Sequence, residues 1–241
     1  MSKPSHVVVF DFDGTLIPSE YISLFFVIES VLNKNYQEEI QRVRNTYVPK
    51  ILSLTVTPEE NMLLITSPAE IYIKSGLTIS QAKQALKIVN LRRGVLETMA
   101  FLHSQGIPIA IISYSFRQFI EIVLEENKAG NFISQIYGAN LVVKNGLICG
   151  YRPETFVFSE TKGVFSRRFA RQHSVPAENI LAVGDSAADF RLGYLKENRL
   201  GIAGSEQEKE EVKKFFGEVV ITENFDPVLE WLKRRLNTQT A

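Results

Sequence analysis

The sequence predicts an α/β fold, with an open and mostly parallel sheet and a helical segment inserted after the first strand. Three apolar runs of strand length, Val7 to Phe10, Ile107 to Ile112 and Ile180 to Val183, each end abruptly in small polar or acidic residues. Continuous apolar runs are typical of parallel strands that are covered on both faces. Helical patterns, such as 94–104 and 160–172, alternate with these runs, as they do in open α/β sheets.

Between the first and second runs the pattern changes from strands to short helices. Three helix start signals of the capping-box type occur there: Thr57 to Glu60, Ser67 to Glu70 and Thr78 to Gln81. We therefore predict a helical domain over residues 18–90. The core domain is predicted to consist of residues 1–17 and 91–241.

Two carboxylates, Asp11 and Asp13, directly follow the first apolar run. Residues i and i+2 of an extended segment project to the same side, so both carboxylates can face one small volume. Like charges this close raise each other's pKa unless a cation neutralises them. Mg²⁺ together with a phosphoryl group is a natural candidate.

Two other interpretations of this pair explain it less well. A helix-flanked calcium loop needs a glycine where Leu16 stands, so the calcium reading is disfavoured. An ordinary turn after a strand explains Asp13 with Gly14, but it does not explain Asp11.

Polar residues also follow the other two runs. Ser113 follows the second run, and Ser115 to Gln118 is a further capping-box pattern whose free N–H groups could hold a phosphate. Asp185 and Asp189 follow the third run and share one face if a helix begins near Asp185. Because ligands bind at the carboxyl ends of the strands in open α/β sheets, we expect Asp11, Asp13, Ser113 and Asp185 to meet in one crevice.

Lys162 lies in the first turn of a helix that is predicted to begin near Ser159. A lysine at this end of a helix opposes the helix dipole, and a bound anion would remove the conflict. Taken singly, Lys162 is also compatible with an ordinary surface lysine, and Ser113 and Asp185 with ordinary helix caps.

Composition predicts which partners the chain does not recruit. Twenty-seven basic and twenty-seven acidic residues cancel, so no overall field attracts nucleic acid or an anionic membrane. One cysteine, Cys149, rules out a disulfide within the chain and is compatible with a reducing compartment. The apolar run before Asp11 is too short for a signal peptide, and no stretch is long enough to span a membrane. We expect a cytoplasmic protein.

Taken in order, four segments resemble the motifs of the haloacid dehalogenase superfamily: Asp11-Phe-Asp13-Gly-Thr, Ser113, Lys162 and Gly184-Asp185-x-x-x-Asp189. The resemblance is closest to the phosphoserine phosphatase-like branch, which has a glutamate shortly after the first motif, here Glu20, and a hairpin before the lysine helix, here 141–150. It implies a Rossmann-like core with a helical cap. It also implies a Mg²⁺-dependent phosphatase that acts on a small phosphorylated metabolite.

By this resemblance the acidic residues have separate roles. Asp11 is the nucleophile that forms an aspartyl-phosphate. Asp13 protonates the leaving alcohol and then takes a proton from the attacking water. Mg²⁺ is held by a carboxylate oxygen of Asp11, the backbone carbonyl of Asp13 and the side chain of Asp185.

The resemblance also implies roles around the phosphoryl group. Ser113 and Lys162 bind its oxygens and stabilise charge during transfer. Asp189 orients Lys162 or a metal-bound water. Glu20 and Tyr114 are expected to contact the rest of the substrate.

Some residues depart from the family pattern. Tyr114 and Ser115 stand where phosphoserine phosphatases have two glycines, and the predicted cap has no arginine except Arg42 and Arg44 to bind a substrate carboxylate. A phosphotransferase acting on a small alcohol, and a non-catalytic module that binds phosphate or metal, stay open as alternatives. Asp13 argues against a dehalogenase, which needs no acid at that position.

Overall fold

The computed structural model describes residues 3–21 and 23–237, which contain a seven-stranded sheet. In chain order its strands are β1 (Val7–Phe10), β2 (Ile109–Phe116), β3 (Gln135–Lys144), β4 (Leu147–Arg152), β5 (Ile180–Gly184), β6 (Arg199–Ala203) and β7 (Glu218–Ile221). The strands lie in the order β4-β3-β2-β1-β5-β6-β7. Neighbouring strands are parallel except for the β3–β4 pair. The predicted α/β class and the mostly parallel sheet are therefore confirmed.

Helices cover both faces of the sheet. The α-helices are α1 (Leu24–Val27), α2 (Lys34–Leu52), α3 (Pro58–Ser75), α4 (Ile79–Leu86), α5 (Val95–Ser104), α6 (Arg117–Glu126), α7 (Ser159–Gln172), α8 (Glu206–Val212) and α9 (Asp226–Asn237). Side chains of β1 alternate between two cores: Val8 and Phe10 join one with α5 and α9, while Val7 and Val9 join the other with α7. This two-sided burial explains the unbroken apolar run. Across residues 3–21 and 23–237, no helix has the length and apolarity needed to cross a membrane.

Helices α1 to α4 lie between β1 and α5, and they continue the core on one face of the sheet. Tyr72 of α3 packs edge-on against Phe116 at the end of β2, with ring centroids 6.0 Å apart. Its hydroxyl donates to the backbone carbonyl of Phe25 in α1 at 2.6 Å. The insertion is helical, as expected, and the domain boundaries at 18 and 90 stay predictions. The outermost residues of the predicted core domain, 1–2 and 238–241, lie outside the described residues.

One predicted helix start in this segment is wrong. The pattern over 67–70 does not begin a helix, because it lies inside α3, where Pro68 is an interior residue. Buried side chains occur on both sides of Pro68, so packing keeps the helix continuous despite the missing N–H. The capping boxes at Thr57 and Thr78 are both present.

The predicted hairpin is formed by β3 and β4. Asn145 and Gly146 at its turn have φ values of 51° and 79°, the positive values that a type I′ turn requires. The hairpin contacts the start of α4: the Ile79 N–H donates to Gly146 at 2.8 Å, and the Ile148 N–H donates to Leu77 at 3.0 Å. The inserted helices are thereby anchored to the sheet at a second place.

Candidate active site

A cavity of about 110 Å³ lies at the carboxyl ends of β1, β2 and β5, beneath the inserted helices. The sheet side of its wall is mostly polar: Asp11, Asp13, Ser113, Tyr114, Lys162, Asp185, Ser186 and Ala188. The helical side is mostly apolar: Ser23, Phe25, Phe26, Val48, Ile51, Leu52 and Leu64. The structure thus brings the residues that follow the three apolar runs to one cavity.

Lys162 lies in the first turn of α7 and is only 2% exposed. Its Nζ donates to Oδ1 of Asp11 at 2.6 Å and to Oδ1 of Asp189 at 2.5 Å. Burial by itself would lower the pKa of Lys162, but the two carboxylates reverse this effect and hold its pKa above the usual value. The lysine is therefore a fixed positive charge beside Asp11.

The acidic residues at this site form a cluster that could hold a metal ion. Asp11, Asp185 and Asp189 each offer a carboxylate oxygen, and these oxygens lie within 4.8 Å of one another. Burial, followed by the charge of Asp189, raises the pKa of Asp11 well above its usual range and the pKa of Asp185 to about 7. Within the described residues, Lys162 is the ammonium that contacts this cluster, and it contacts only two of the three carboxylates. Hard carboxylate oxygens and uncompensated negative charge suit Mg²⁺.

Asp189 is the least available of these three acids as a metal ligand. Its Oδ1 accepts from Lys162, and its Oδ2 accepts the backbone N–H groups of Asp185 and Ser186, each at 3.2 Å. Both oxygens are therefore occupied within the chain. Asp11 and Asp185 are the acids better placed to bind a cation.

The helix expected to begin near Asp185 is not formed. The segment makes a single 3₁₀ turn, Ala187–Asp189, with Ser186 before it. The reason is that the Asp189 carboxylate turns back onto the N–H groups at the start of the turn and closes it locally. The 3₁₀ turn brings Asp185 and Asp189 close together, and the two residues do not share a face of an α-helix.

Gly14 and Thr15 position Asp185 from the first motif. Gly14 has a φ of +76°, and a Cβ at this position would overlap the carboxylate of Asp185. Thr15 donates its hydroxyl to Oδ1 of Asp185 at 2.9 Å. Glycine is required at position 14 both by its backbone conformation and by this close approach.

Asp13 is held by three donors. Its Oδ1 accepts the backbone N–H of Leu24 at 2.9 Å, and its Oδ2 accepts the hydroxyls of Ser115 at 2.6 Å and Ser113 at 3.4 Å. Burial outweighs these donors and raises the pKa of Asp13. A hydroxyl can donate or accept, whereas a backbone N–H only donates, so Oδ2 is the oxygen of Asp13 that can carry a proton.

The capping box predicted over 115–118 is wrong. Ser115 belongs to β2, and α6 begins at Arg117 with Phe116 as an N-cap that makes no side-chain hydrogen bond. The hydroxyl of Ser115 is used by Asp13 instead. The N–H groups that were expected to hold a phosphate now belong to a helix that begins at Arg117, and their binding of phosphate stays a prediction. Ser115 is a site residue that the sequence reasoning missed.

Tyr114 lines the cavity, but its hydroxyl is engaged within the chain. It accepts the backbone N–H of Ser159 at 2.8 Å and lies 2.9 Å from the hydroxyl of that serine. It also lies 3.1 Å from Oδ1 of Asn61 on α3. The ring faces Lys162, whose Nζ is 5.6 Å from its centroid. Tyr114 thus connects the sheet, the start of α7 and the inserted helices.

Glu20 is separated from the other predicted site residues. It lies in a short 3₁₀ helix, Ser19–Tyr21, and its side chain is exposed. It is absent from the described lining of the cavity. Its predicted contact with the substrate stays a prediction.

Arg92 is a second residue that the sequence reasoning missed. Its Nη2 donates to the carbonyl of Gly14 at 2.7 Å, and its backbone N–H donates to Leu16 at 2.9 Å. Arg92 therefore fixes the loop that follows β1. In the sequence it is one of two arginines near a predicted domain boundary, and nothing in its spacing indicates this contact.

Comparisons with known proteins agree with this architecture. The chain is 23% identical to the phosphoserine phosphatase of Methanocaldococcus jannaschii, over 80% of this chain and 82% of that protein. It is 25% identical to the 2-hydroxy-3-keto-5-methylthiopentenyl-1-phosphate phosphatase of Microcystis aeruginosa, over 78% and 80% of the two chains. A solved complex of phosphoserine phosphatase with substrate matches with a TM-score of 0.71 at 19% identity, over 95% of this chain and 99% of that one.

The likeness to the solved structure supports the fold, and the family is established by a separate match. A family model described as haloacid dehalogenase-like hydrolase matches residues 8–193. That match begins in β1, ends after the Asp185 segment and covers more than half of the chain. The chain belongs to the haloacid dehalogenase-like hydrolase family.

Proposed function

We propose that this protein is a Mg²⁺-dependent phosphatase that hydrolyses a small organic phosphomonoester through an aspartyl-phosphate on Asp11. The observation that carries the proposal is the ammonium of Lys162, 2.6 Å from Asp11, in a cavity that also contains Asp13 and Asp185. A nucleophilic carboxylate, a fixed cation, a candidate metal ligand and a carboxyl group suited to proton transfer lie together. This is the set of groups that two-step phosphoryl transfer needs.

Asp11 and Asp13 carry the bond changes in this proposal. A carboxylate oxygen of Asp11 attacks phosphorus, and the ester P–O bond breaks. The leaving oxygen takes a proton from Oδ2 of Asp13, the oxygen that faces two hydroxyls. Asp13 then accepts a proton from a water molecule, whose oxygen attacks phosphorus and releases Asp11 and phosphate.

Lys162 and Ser113 stabilise the transferred group. The Lys162 ammonium neutralises charge on the phosphoryl oxygens and on Asp11. The hydroxyl of Ser113 supplies a further donor when it turns from its long, 3.4 Å contact with Asp13 to the phosphoryl group. Asp189 holds the ammonium from its other side, so the charge does not need to be reoriented during the reaction. Low solvent access strengthens each of these interactions.

Asp11 and Asp185 would hold Mg²⁺, with the backbone carbonyl of Asp13 as a further proposed ligand. When bound, Mg²⁺ reduces the repulsion between the anionic nucleophile and the anionic phosphate. Thr15 and Gly14 keep the Asp185 carboxylate in place for this purpose.

The relatives support a phosphomonoester as substrate without agreeing on its organic part. One is named for phosphoserine and another for a phosphorylated methylthiopentenyl compound. The reaction class is common to both names. A small phosphorylated metabolite as substrate and a cytoplasmic location are both parts of this proposal.

The proposal is tested by replacing Asp11 with Asn and measuring phosphate release from p-nitrophenyl phosphate with Mg²⁺. The amide is isosteric but is not a nucleophile, so we expect turnover to fall by several orders of magnitude. Asp226→Asn, at the start of α9 and outside the cavity, is the matched control and should keep its activity. Unchanged turnover in a folded Asp11→Asn variant would overturn the mechanism.

A further inference from the structure

We propose that the phosphomonoester cleaved at this site has an apolar, uncharged leaving group, such as a short branched alkyl group or an aryl group. The inference rests on the proposed function and adds the chemical class of the substrate. It follows from the way in which the cavity wall divides between the sheet and the inserted helices.

The inserted helical segment contributes an apolar wall. Six of its seven lining residues are apolar: Phe25, Phe26, Val48, Ile51, Leu52 and Leu64. The charged lining residues, Asp11, Asp13, Lys162 and Asp185, all come from the opposite, sheet side. Because the phosphoryl group must lie against Asp11 and Lys162, the organic part of the ester lies against the apolar wall.

No charged side chain among the described residues of the inserted segment lines the cavity. Arg44 is stacked on Phe26, 5.3 Å from its ring centroid, with Glu29 at 4.0 Å, and Arg42 is exposed. Neither arginine lines the described cavity. Glu20 is exposed as well and is absent from the lining. Among the described residues of this wall, a substrate carboxylate therefore meets no cation, and a substrate ammonium meets no anion.

Two polar groups at the boundary between the walls are already hydrogen-bonded within the chain. The Tyr114 hydroxyl is engaged with Ser159 and Asn61. The Ser23 hydroxyl accepts the N–H of Phe25 at 3.4 Å. To bind a charged substrate, either hydroxyl would have to give up a hydrogen bond that it already makes within the chain.

The consequence for specificity is a matter of desolvation. A carboxylate or ammonium pressed against Phe25 and Leu64 loses its hydration and gains no partner. An apolar group at the same place removes apolar surface from water on both sides. We therefore expect a higher kcat/KM for uncharged esters than for charged ones. This order should hold even though a charged substituent makes the alcohol a better leaving group.

The first test compares four primary phosphate esters with the full chain and Mg²⁺: isobutyl phosphate, phosphoethanolamine, 2-phosphoglycolate and O-phosphoserine. We expect kcat/KM for isobutyl phosphate to exceed each of the others by at least about tenfold. A charged ester with an equal or higher kcat/KM would overturn the inference and leave the proposed function intact.

A second test changes the charge of the apolar wall. Val48 is half-buried on α2, so Val48→Arg places a cation at the wall with less risk to folding than a change at Leu64. We expect the ratio of kcat/KM for 2-phosphoglycolate to that for isobutyl phosphate to rise at least about tenfold. Thr46→Arg adds the same charge at an exposed position of α2 and should leave the ratio unchanged. An unchanged ratio in a folded Val48→Arg variant would contradict the inference.

A binding measurement separates this inference from the proposed function. Isobutylphosphonate and phosphonoacetate cannot be hydrolysed, and calorimetry with Mg²⁺ gives the dissociation constant of each. Absence of turnover with every ester would overturn the proposed function alone. Tighter binding of isobutylphosphonate would then still support the apolar class, and tighter binding of phosphonoacetate would overturn it.

Discussion

The backbone N–H of Leu24, the first residue of α1, donates to Oδ1 of Asp13 at 2.9 Å. This hydrogen bond connects the proposed general acid directly to the inserted helices. The same helices supply the apolar wall of the cavity. A displacement of α1 would therefore alter the donors around Asp13 as well as the shape of the cavity.

Ser115→Ala should change the pH dependence of turnover. The Ser115 hydroxyl donates to Asp13 at 2.6 Å and lowers its pKa, so its loss raises the pKa of the acid further. We expect the basic limb of the kcat/KM profile to move to higher pH, because Asp13 stays protonated over a wider range. Ser75→Ala removes a hydroxyl that donates to the backbone carbonyl of Tyr72 at 2.9 Å, and it should leave the profile in place. An identical profile for Ser115→Ala would contradict the role of Asp13.

Gly14→Ala should disrupt the candidate metal site. The added methyl group overlaps the Asp185 carboxylate, and the φ of +76° costs about 1 kcal/mol for a non-glycine residue. Gly76 also has a positive φ but has open space around its Cβ position, so Gly76→Ala is the matched control. Mg²⁺ titration followed by thermal unfolding should show a lost metal response only for Gly14→Ala. Equal metal responses in the two variants would argue against Asp185 as a ligand.

Lys162→Met should lower both stability and turnover. It leaves two buried carboxylates without their contacting ammonium, and breaking a buried ion pair costs about 3–5 kcal/mol. Urea unfolding measures this loss. The double variant Lys162→Met with Asp189→Asn should regain part of the stability, because one stranded charge is removed, but should stay inactive. Full activity in either variant would exclude Lys162 from the proposed mechanism.

Mg²⁺ binding should weaken as the pH falls through 7. In the metal-free protein the pKa of Asp185 is raised to about 7, so below that pH its carboxyl must release a proton before it binds a cation. Affinity should fall by up to about tenfold per pH unit below 7. Calorimetry at pH 6 and pH 8 measures the difference, and a constant affinity would exclude Asp185 as the titrating ligand.

The same shift predicts how the metal-free fold responds to pH. The unfolded carboxyl of Asp185 titrates near its usual value of 3.8, and the folded one near 7. The folded state therefore binds this proton more tightly than the unfolded state does. The resulting contribution to the free energy of unfolding is full below pH 3.8 and is lost as the pH rises to 7. In chelator, wild type should lose more stability than Asp185→Asn over this interval, measured by urea unfolding. Equal losses would contradict the raised pKa.

Much of the site could be predicted because strand ends locate it. Asp11 and Asp185 each follow a buried apolar run. Because ligands bind at the carboxyl ends of parallel strands, the sequence predicts that these two residues share one site. Ser115 was missed because the second strand was predicted to end at Ile112, whereas β2 continues to Phe116. In the longer strand, residues 113 and 115 project to one side, toward Asp13.

Other features depend on contacts that no local pattern encodes. Arg92 reaches the Gly14 carbonyl across 78 positions of the chain. The turn at Asp189 is closed by the carboxylate of that residue, which overrides the helical spacing. The helix start predicted at Ser67 is wrong because the packing of buried side chains on both sides of Pro68 keeps α3 continuous, in spite of the capping-box pattern over 67–70.

The candidate metal site is assembled from segments far apart in the chain. Thr15 and Asp185, which meet at 2.9 Å, are separated by 170 positions. In the unfolded chain the acids lie at the ends of a very long loop, so an ion that needs both finds no binding site there. On the proposed function, Mg²⁺ acts as a ligand of the native state alone and shifts the folding equilibrium by mass action. During refolding, metal binding would then report the moment when β1 and β5 have paired.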